Sequence, residues 1–332
     1  MLGRALAASS AITGAAAAPV SGDTGAVLVP GPWEHRFVPA NGTRLHVAQS
    51  GTGPLVLLVH GYPQFWWSWR AQLPALADAG FTAAAVDLRG HGASDKPPRG
   101  YDPGTLCADL AALVRSLGHT RAVVIGHGLG GWLAWAMPHL HPQVVSAVGV
   151  LAMPHPRLLG PRTLPWRLAR PMWQRPVRRV IGGPASRRLA DPAILEESLH
   201  RWSAPGGAWP STEVVARYSQ ALALPFTSRS ATEAHRWLAG AHLHPAGRRL
   251  LRTIGRTVDV PVLQVHGAQD PLLPAVLAAR SSGYVRGTYE WHRLPGVGHF
   301  VQEEAPAAAT AILTRWLGGD PDDQVSADQP SR

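Results

Sequence analysis

The chain has little cysteine, almost no lysine and no long apolar run. Cys107 is the only cysteine, which excludes an intramolecular disulfide. It falls inside a helical pattern and reads as a small buried hydrophobe. No Cys/His spacing has the ligand pattern of a zinc site, so no metal and no cofactor are expected. No stretch is long and apolar enough for a transmembrane helix. Lys96 is the only lysine, so the 31 basic residues are otherwise arginine; against 21 acids they give a net charge of +10. That surplus would admit a nucleic-acid partner on charge alone, but no recognition motif accompanies it. Arginine together with abundant Ala, Gly and Pro is what a GC-rich coding sequence produces, and no nucleic acid is expected.

With 332 residues, 45% of them hydrophobic, the chain can bury a sizeable core and is not globally disordered. Residues 1–30 read as a disordered leader. Ala5 to Ala18 is a weak signal-peptide core broken by Ser9, Ser10, Thr13 and Gly14, which leaves secretion open beside a cytoplasmic or membrane-peripheral location. Residues 319–332 read as a disordered acidic tail. Between them, Trp33–Pro39 and Thr43–Gln49 form a hairpin pattern with Asn41-Gly42 as its turn. The strand patterns Leu55–Val59, Thr82–Val86, Ala122–Ile125 and Val144–Leu151 then alternate with the helical patterns Ser68–Asp78, Thr105–Leu117 and Leu129–His141. Pro138 should kink or shorten the last of these. The alternation argues a mostly parallel sheet with helices on both faces. It stops in 154–256, a Pro-, Arg- and Trp-rich stretch that is helical where regular. It resumes at Val260–His266 and Tyr289–Leu294, followed by the helix Pro306–Leu317.

The run Gly126-His127-Gly128-Leu129-Gly130 lies between a strand and a helix, the context of a nucleophile elbow. The central position, which such a turn lifts toward the substrate, is Gly128 and carries no side chain. His60-Gly61-Tyr62-Pro63 follows one strand, and Asp87-Leu88-Arg89-Gly90-His91-Gly92 follows another. Asp270 follows a third. His299 stands in Gly296-Val297-Gly298-His299-Phe300.

This set, in this order over residues 31–318, resembles the α/β-hydrolase fold. More narrowly it resembles the epoxide hydrolase and haloalkane dehalogenase group, which shares the H-G-x-P loop and the motif standing here as Asp87 to Pro97. The resemblance implies an eight-stranded, mostly parallel sheet with helices on both faces. The core would be 31–153 and 257–318, with a helical cap, 154–256, inserted over the strand ends. It implies His299 as the base and Asp270 as its orienting acid. The backbone N–H groups of Tyr62 and Leu129 would form the oxyanion hole, with Pro63 preceded by a cis bond. His60, Pro63, Trp66 and His235 would line the pocket. Asp87, Arg89, Asp95 and Lys96 would tie loops together. His127 is rejected as a substitute nucleophile, because the residue before the elbow position points away from the cleft.

In that group an Asp at the elbow attacks the substrate carbon and forms an ester, which the His-activated water then hydrolyses. Two cap tyrosines hold the oxirane oxygen. Here Gly128 replaces the Asp. His235, in Glu233-Ala234-His235-Arg236-Trp237, stands where one tyrosine would be, and no Tyr occurs between Pro161 and Trp173. Removing a nucleophile costs about 10⁶ in turnover, roughly 8 kcal/mol. The expectation is therefore an epoxide-hydrolase-like protein without the covalent route. Its Asp270–His299 dyad would act as general base on a small apolar substrate under the cap. The alternatives are a non-catalytic protein that binds a ligand or protein, and an active hydrolase working by a non-covalent route. Arg157, Arg162, Arg167, Arg170, Arg175, Arg178, Arg179, Arg187 and Arg188, with Trp166 and Trp173 interleaved, suit either an anionic membrane surface or acidic partner, or simply a solvated face.

Overall fold

Five-residue runs such as Leu55-Val56-Leu57-Leu58-Val59 have no polar face, so they are stable only as strands covered on both sides. The computed structural model, which describes residues 24–160 and 190–319, places them so. Its strands are β1 (Glu34–Ala40), β2 (Thr43–Ser50), β3 (Leu55–Val59), β4 (Thr82–Val86), β5 (Ala122–His127), β6 (Val145–Leu151), β7 (Val262–Gly267) and β8 (Tyr289–Leu294). They form one eight-stranded sheet in the order β1-β2-β4-β3-β5-β6-β7-β8. β2 pairs antiparallel with both β1 and β4, and all other pairings are parallel. β3 and β4 are buried along their whole length. Ala40 pairs with Thr43, so Asn41-Gly42 is the two-residue hairpin loop. Both its residues have positive φ, 46° and 73°, as a type I′ turn requires.

Helices α1 (Gln72–Asp78), α2 (Pro103–Ser116) and α3 (Leu129–Leu140) connect the first parallel strands. α2 starts where Asp102 accepts the Thr105 N–H and Pro103 takes the first helical position. The helix expected from Ser68 begins instead at Gln72, after a 3₁₀ turn over Trp66–Trp69. α3 is not cut at Pro138: it runs on to Leu140, so the proline falls in the last turn, where only one intrahelical bond is forfeited. Four helices follow β6 among the described residues: α4 (Pro192–Trp202), α5 (Thr212–Ala223), α6 (Thr227–Gly240) and α7 (Pro245–Thr253). The short α8 (Ala275–Ala278) and α9 (Val301–Glu304) and the terminal α10 (Pro306–Gly318) complete the chain. Most of the arginine-rich segment, from Arg162 to Arg188, lies outside the described residues, as does Trp173-Gln174-Arg175-Pro176. Among the described residues no helix is long and apolar enough to cross a membrane.

Two expectations fail at the N-terminal side. Residues 24–30 belong to the fold rather than to the expected leader: Thr24–Val27 forms a 3₁₀ turn and Val27 is fully buried. Trp66, expected in the pocket, is the reason. Its ring is fully buried, packs edge-on to Trp33 at 5.3 Å, and donates Nε1–H to the Val27 carbonyl at 2.8 Å. An indole needs a partner for its N–H when buried, and the pre-strand segment supplies it.

The loops above the sheet are fixed by buried charge. Asp87 accepts from His46 Nδ1 at 2.8 Å and from the backbone N–H of Trp66 and of Ala93, both at 2.9 Å. Lys96 donates to the carbonyls of Gly92 and Ser94. Arg89 grips Asp109 of α2 with two bonds, 2.7 and 2.6 Å, and Asn41 of the hairpin turn adds a third at 2.8 Å. Asp109→Ala leaves the Arg89 guanidinium buried and unpaired, and unfolding in urea should show a loss of about 3–5 kcal/mol. A loss below about 1 kcal/mol would mean that water replaces the carboxylate at this position.

Candidate active site

The strand-to-helix turn after β5 holds three glycines for different physical reasons. A Cβ on Gly126 would lie 2.1 Å from the Gly130 carbonyl oxygen, and one on Gly130 would lie 2.1 Å from the Val59 carbonyl oxygen. Both approaches are closed to any side chain. Gly128 is different. Its backbone takes φ 53° and ψ −116°, a strained setting for any L-residue, but space is open there. The nearest atoms to an added Cβ are Gly61 Cα at 3.6 Å and His299 Nε2 at 3.7 Å. The turn that would present a nucleophile is built, and it aims its central position at the histidine.

His299 reaches this point from the loop after β8. Its Nδ1 lies 2.8 Å from Asp270 Oδ2, and both residues are buried. Since a carboxylate only accepts, Nδ1 carries the proton, and in the neutral ring Nε2 presents its lone pair toward Gly128. Asp270 is itself held in place. Oδ1 accepts the N–H groups of Leu272 and Leu273 at 2.8 and 3.0 Å, and His266 Nε2 stands 3.3 Å from Oδ2. Burial works to raise the Asp270 pKa. The charge of His299 and hydrogen bonds from His266 and His299 outweigh it and hold the carboxyl well below its usual range.

The Tyr62-Pro63 peptide is cis, and the Tyr62 N–H follows Gly61, which borders the open point over Gly128. Leu129 begins α3, so its N–H is among the first-turn donors without an intrahelical acceptor. His60 does not line a pocket. It is fully buried, its Nε2 accepts the Leu88 N–H at 3.1 Å, and its Nδ1–H donates to the Gly61 carbonyl at 2.8 Å. It braces the loop, and burial lowers its pKa. His127 is buried beneath the site. Its Nε2–H donates to the His299 carbonyl at 2.9 Å, and burial, then the neighbouring His299 charge, push its pKa down to about 3. It supports the base loop as a neutral ring.

From the segment after β6, His235 on α6 meets the Tyr62 ring edge-on at 5.4 Å, and Trp202 at the end of α4 lies 6.3 Å from it. His235 Nδ1–H donates back to the Ala231 carbonyl at 2.8 Å. Its Nε2 is therefore an acceptor as long as the ring is neutral, and burial lowers its pKa. Among the described residues no cluster of three or more His, Cys, Asp or Glu could hold a metal ion.

Two side chains that brace the candidate site, Glu303 and Glu304, are not among the residues expected from the sequence. Glu304 accepts the backbone N–H groups of Gly298, Phe300 and Ala204 at 2.8, 2.9 and 2.9 Å. Glu303 accepts from Gln64 at 2.6 Å, from Arg70 at 2.7 Å and from the Tyr218 hydroxyl of α5. Adjacent acids four and five positions after His299, just before an apolar terminal helix, are the signal that marks them.

Fold and geometry together define an α/β-hydrolase. The family described as alpha/beta hydrolase fold matches residues 54–306, and the chain belongs to it, within its epoxide hydrolase-like group. It is 33% identical over 319 residues to epoxide hydrolase A of Mycobacterium tuberculosis, covering 86% of this chain and 97% of that protein. It is 31% identical over 307 residues to the bifunctional epoxide hydrolase 2 of Sus scrofa, covering 84% of this chain and 54% of that protein, so it spans about half of the longer relative. Among solved structures, epoxide hydrolase A from Mycobacterium thermoresistibile superposes with a TM-score of 0.74 at 27% identity, covering 86% of this chain and 98% of that one. An epoxide hydrolase from an endophytic Streptomyces does so with 0.74 at 29% identity, covering 87% and 96%.

The depressed Asp270 and Asp87 carboxyls fix the sign of the acid response. A carboxyl with a lowered folded pKa adds stability that is complete above its unfolded value and is lost as pH falls toward the folded one. The buried His60, His127 and His235 have lowered pKa values as well, so unfolding free energy should begin to fall below about pH 6.5, as these rings must charge on unfolding, and fall further below about pH 4 as the carboxyls protonate. Asp270→Asn should lower stability at pH 7 by on the order of 2 kcal/mol and flatten the acid limb. An unchanged acid limb in that variant would remove Asp270 from the account.

Proposed function

We propose that this chain is an epoxide-hydrolase-like α/β-hydrolase without the covalent route, in which Asp270 and His299 act as a general-base pair on a small apolar substrate. One observation carries the reading. The elbow position is Gly128, and His299 Nε2 stands 3.7 Å from where its Cβ would be. A water at that point can hydrogen-bond to Nε2 and give up its proton there as it attacks. Asp270 then faces an imidazolium, which it stabilises as in any acid–His pair. The N–H groups of Tyr62 and Leu129 supply donors for developing negative charge. His235, an acceptor in its neutral form, supplies no proton to an oxirane oxygen. Tyr62, Trp202 and Phe300 make the surroundings apolar.

After rapid quench with a reactive epoxide, the intact protein mass should show no alkyl adduct; an ester adduct would overturn the non-covalent reading. Whatever substrate is turned over, His299→Ala should lower the rate by about 10²–10⁴-fold, the usual share of general-base catalysis. An effect under threefold would remove His299 from the chemistry.

Gly128→Asp has room for its Cβ, and the cost is backbone strain at φ 53°, about 1–3 kcal/mol. The variant should fold and form a covalent adduct with an activated alkylating substrate, seen by mass spectrometry. A folded variant that forms none would favour a ligand-binding role for the pocket.

A further inference from the structure

We infer that the open point over Gly128 is a binding site for a free carboxylic acid, whose carboxyl group takes the space that a side chain at position 128 would occupy. The inference goes beyond the general-base reading and is tested apart from it, because binding requires no turnover. It follows from three polar groups without partners that border one point.

Tyr62 and Leu129 are both buried, and neither N–H has a backbone acceptor. Buried N–H groups left without an acceptor are rare in folded proteins. Leu129 opens a twelve-residue helix, whose N-terminal end favours an anion. The third group does not belong to that helix. His299 is 6% exposed, and its Nδ1–H donates to Asp270. Its Nε2 has no hydrogen-bond partner among the described residues and stands 3.7 Å from an added Cβ on Gly128. Gly61 Cα, at 3.6 Å, is the other near neighbour of that Cβ, and both distances are ordinary van der Waals contacts. An atom placed there displaces nothing.

This set asks for two things on one planar group. The N–H pair needs an acceptor oxygen, and the neutral Nε2 needs a hydrogen donor. A carboxyl group with one proton offers both: one oxygen accepts from the N–H pair, and the other shares its proton with Nε2. With the proton on Nε2, the imidazolium lies between two carboxylates, Asp270 at Nδ1 and the ligand at Nε2. The N–H pair and the helix end offset the second negative charge. A phosphate dianion adds a further charge against the same single imidazolium, and an ester lacks the donor. The Trp202 ring adjoins those of Tyr62 and Phe300, each at 6.3 Å, and the three give a hydrocarbon tail an apolar wall. One proton enters with each carboxylate. Of the other titratable groups near this point, His266 and Asp270 come from β7 and the turn after it, His127 from β5, Tyr62 from the loop after β3 and His235 from α6. Burial lowers the pKa of His127 and His235, so both stay neutral and His299 is the ring that takes the proton.

The test titrates the full chain with hexanoate, hexanamide and methyl hexanoate by calorimetry, in about 150 mM salt to screen surface arginines. At about pH 6 hexanoate should fill one site with a Kd on the order of 1 mM or below. Hexanamide and methyl hexanoate should bind at least about tenfold more weakly, since a charge-assisted hydrogen bond is roughly twice as strong as a neutral one. Titrations in two buffers of different ionisation enthalpy should show proton uptake with hexanoate, and its affinity should fall as pH rises, by at most about tenfold per unit. Gly128→Asp sets the chain's own carboxyl at the point and should weaken hexanoate at least about tenfold. Should that variant not fold, His299→Ala carries the test with the elbow untouched: it should weaken hexanoate as much and remove the proton uptake. Hexanoate binding that Gly128→Asp and His299→Ala leave unchanged, or binding at several sites per chain, would assign it to surface arginines and overturn the inference. Equal or tighter binding of hexanamide, or no proton uptake, would overturn the acid as the ligand. Hexanoate binding in a chain that turns over no substrate would support the inference and remove the general-base reading. His299-dependent turnover without hexanoate binding would do the reverse.

Discussion

Two neighbouring carboxylates hold the site together. Glu304 gathers three backbone N–H groups, two from the loop that carries His299 and one from Ala204 just past α4. The His299 N–H in turn donates to the Trp202 carbonyl at 2.9 Å. A Cβ on Gly298 would lie 2.3 Å from the Ala204 nitrogen, so the two segments touch backbone to backbone. Glu303 joins the loop after β3, through Gln64, to Arg70 and to Tyr218 of α5. A buried carboxylate is tolerable only when its lone pairs are filled, and here the filling groups come from the His299 loop, the loop after β3, the end of α4 and α5. The position of the histidine, the loop bearing the Tyr62 N–H and the overlying helices are therefore set by one small network. Moving any of them exposes a charge to an apolar surrounding.

The elbow shows how a single glycine can be misread if glycines are treated alike. Gly126 and Gly130 are required by contact with a backbone carbonyl 2.1 Å from where a Cβ would stand, so they define the turn. Gly128 has no such neighbour. Its positive φ is imposed by the strand, the helix and the two flanking glycines rather than by its own side-chain freedom. The turn keeps its shape with no side chain to present. That is why the strand–turn–helix pattern is legible although its central residue is a glycine.

Much of the architecture could be read from the chain because the relevant signals are local. Leu55–Val59 and Thr82–Val86 are uniformly apolar, bounded by turn residues, and become strands with those limits. Asn41-Gly42 allows one turn type and fixes the hairpin register. Asp270 and His299, 29 positions apart, were legible only through the motifs around them, and the fold brings them to 2.8 Å. What escaped was decided by tertiary partners. Trp66 follows the H-G-Y-P loop and so suggested a pocket wall, but its indole N–H turns to a carbonyl in the segment before β1. His60 resembled a ligand contact, yet both ring nitrogens are used within the core. Glu303 and Glu304 gave no motif, because a carboxylate's partners are backbone and side-chain donors scattered over more than two hundred positions of sequence.

The dyad gives a physical reason to prefer chemistry over memory of the fold. Holding the Asp270 carboxylate under burial takes two backbone donors, His299, and His266 at 3.3 Å. An apolar replacement of similar volume is often neutral or stabilising by about 1–4 kcal/mol relative to a buried charged pair. Stability alone gives no reason to keep the carboxylate, the imidazole it orients and the strained turn opposite Nε2 in one place. Each is needed if a proton is to leave a water over Gly128. The imidazole must have a free nitrogen there, the carboxylate must fix the other nitrogen as the donor, and the turn must hold its N–H groups beside the point of attack. A pocket serving only to hold an apolar ligand needs none of the three. Their coincidence around Gly128 is the physical argument for the proposed attack by water.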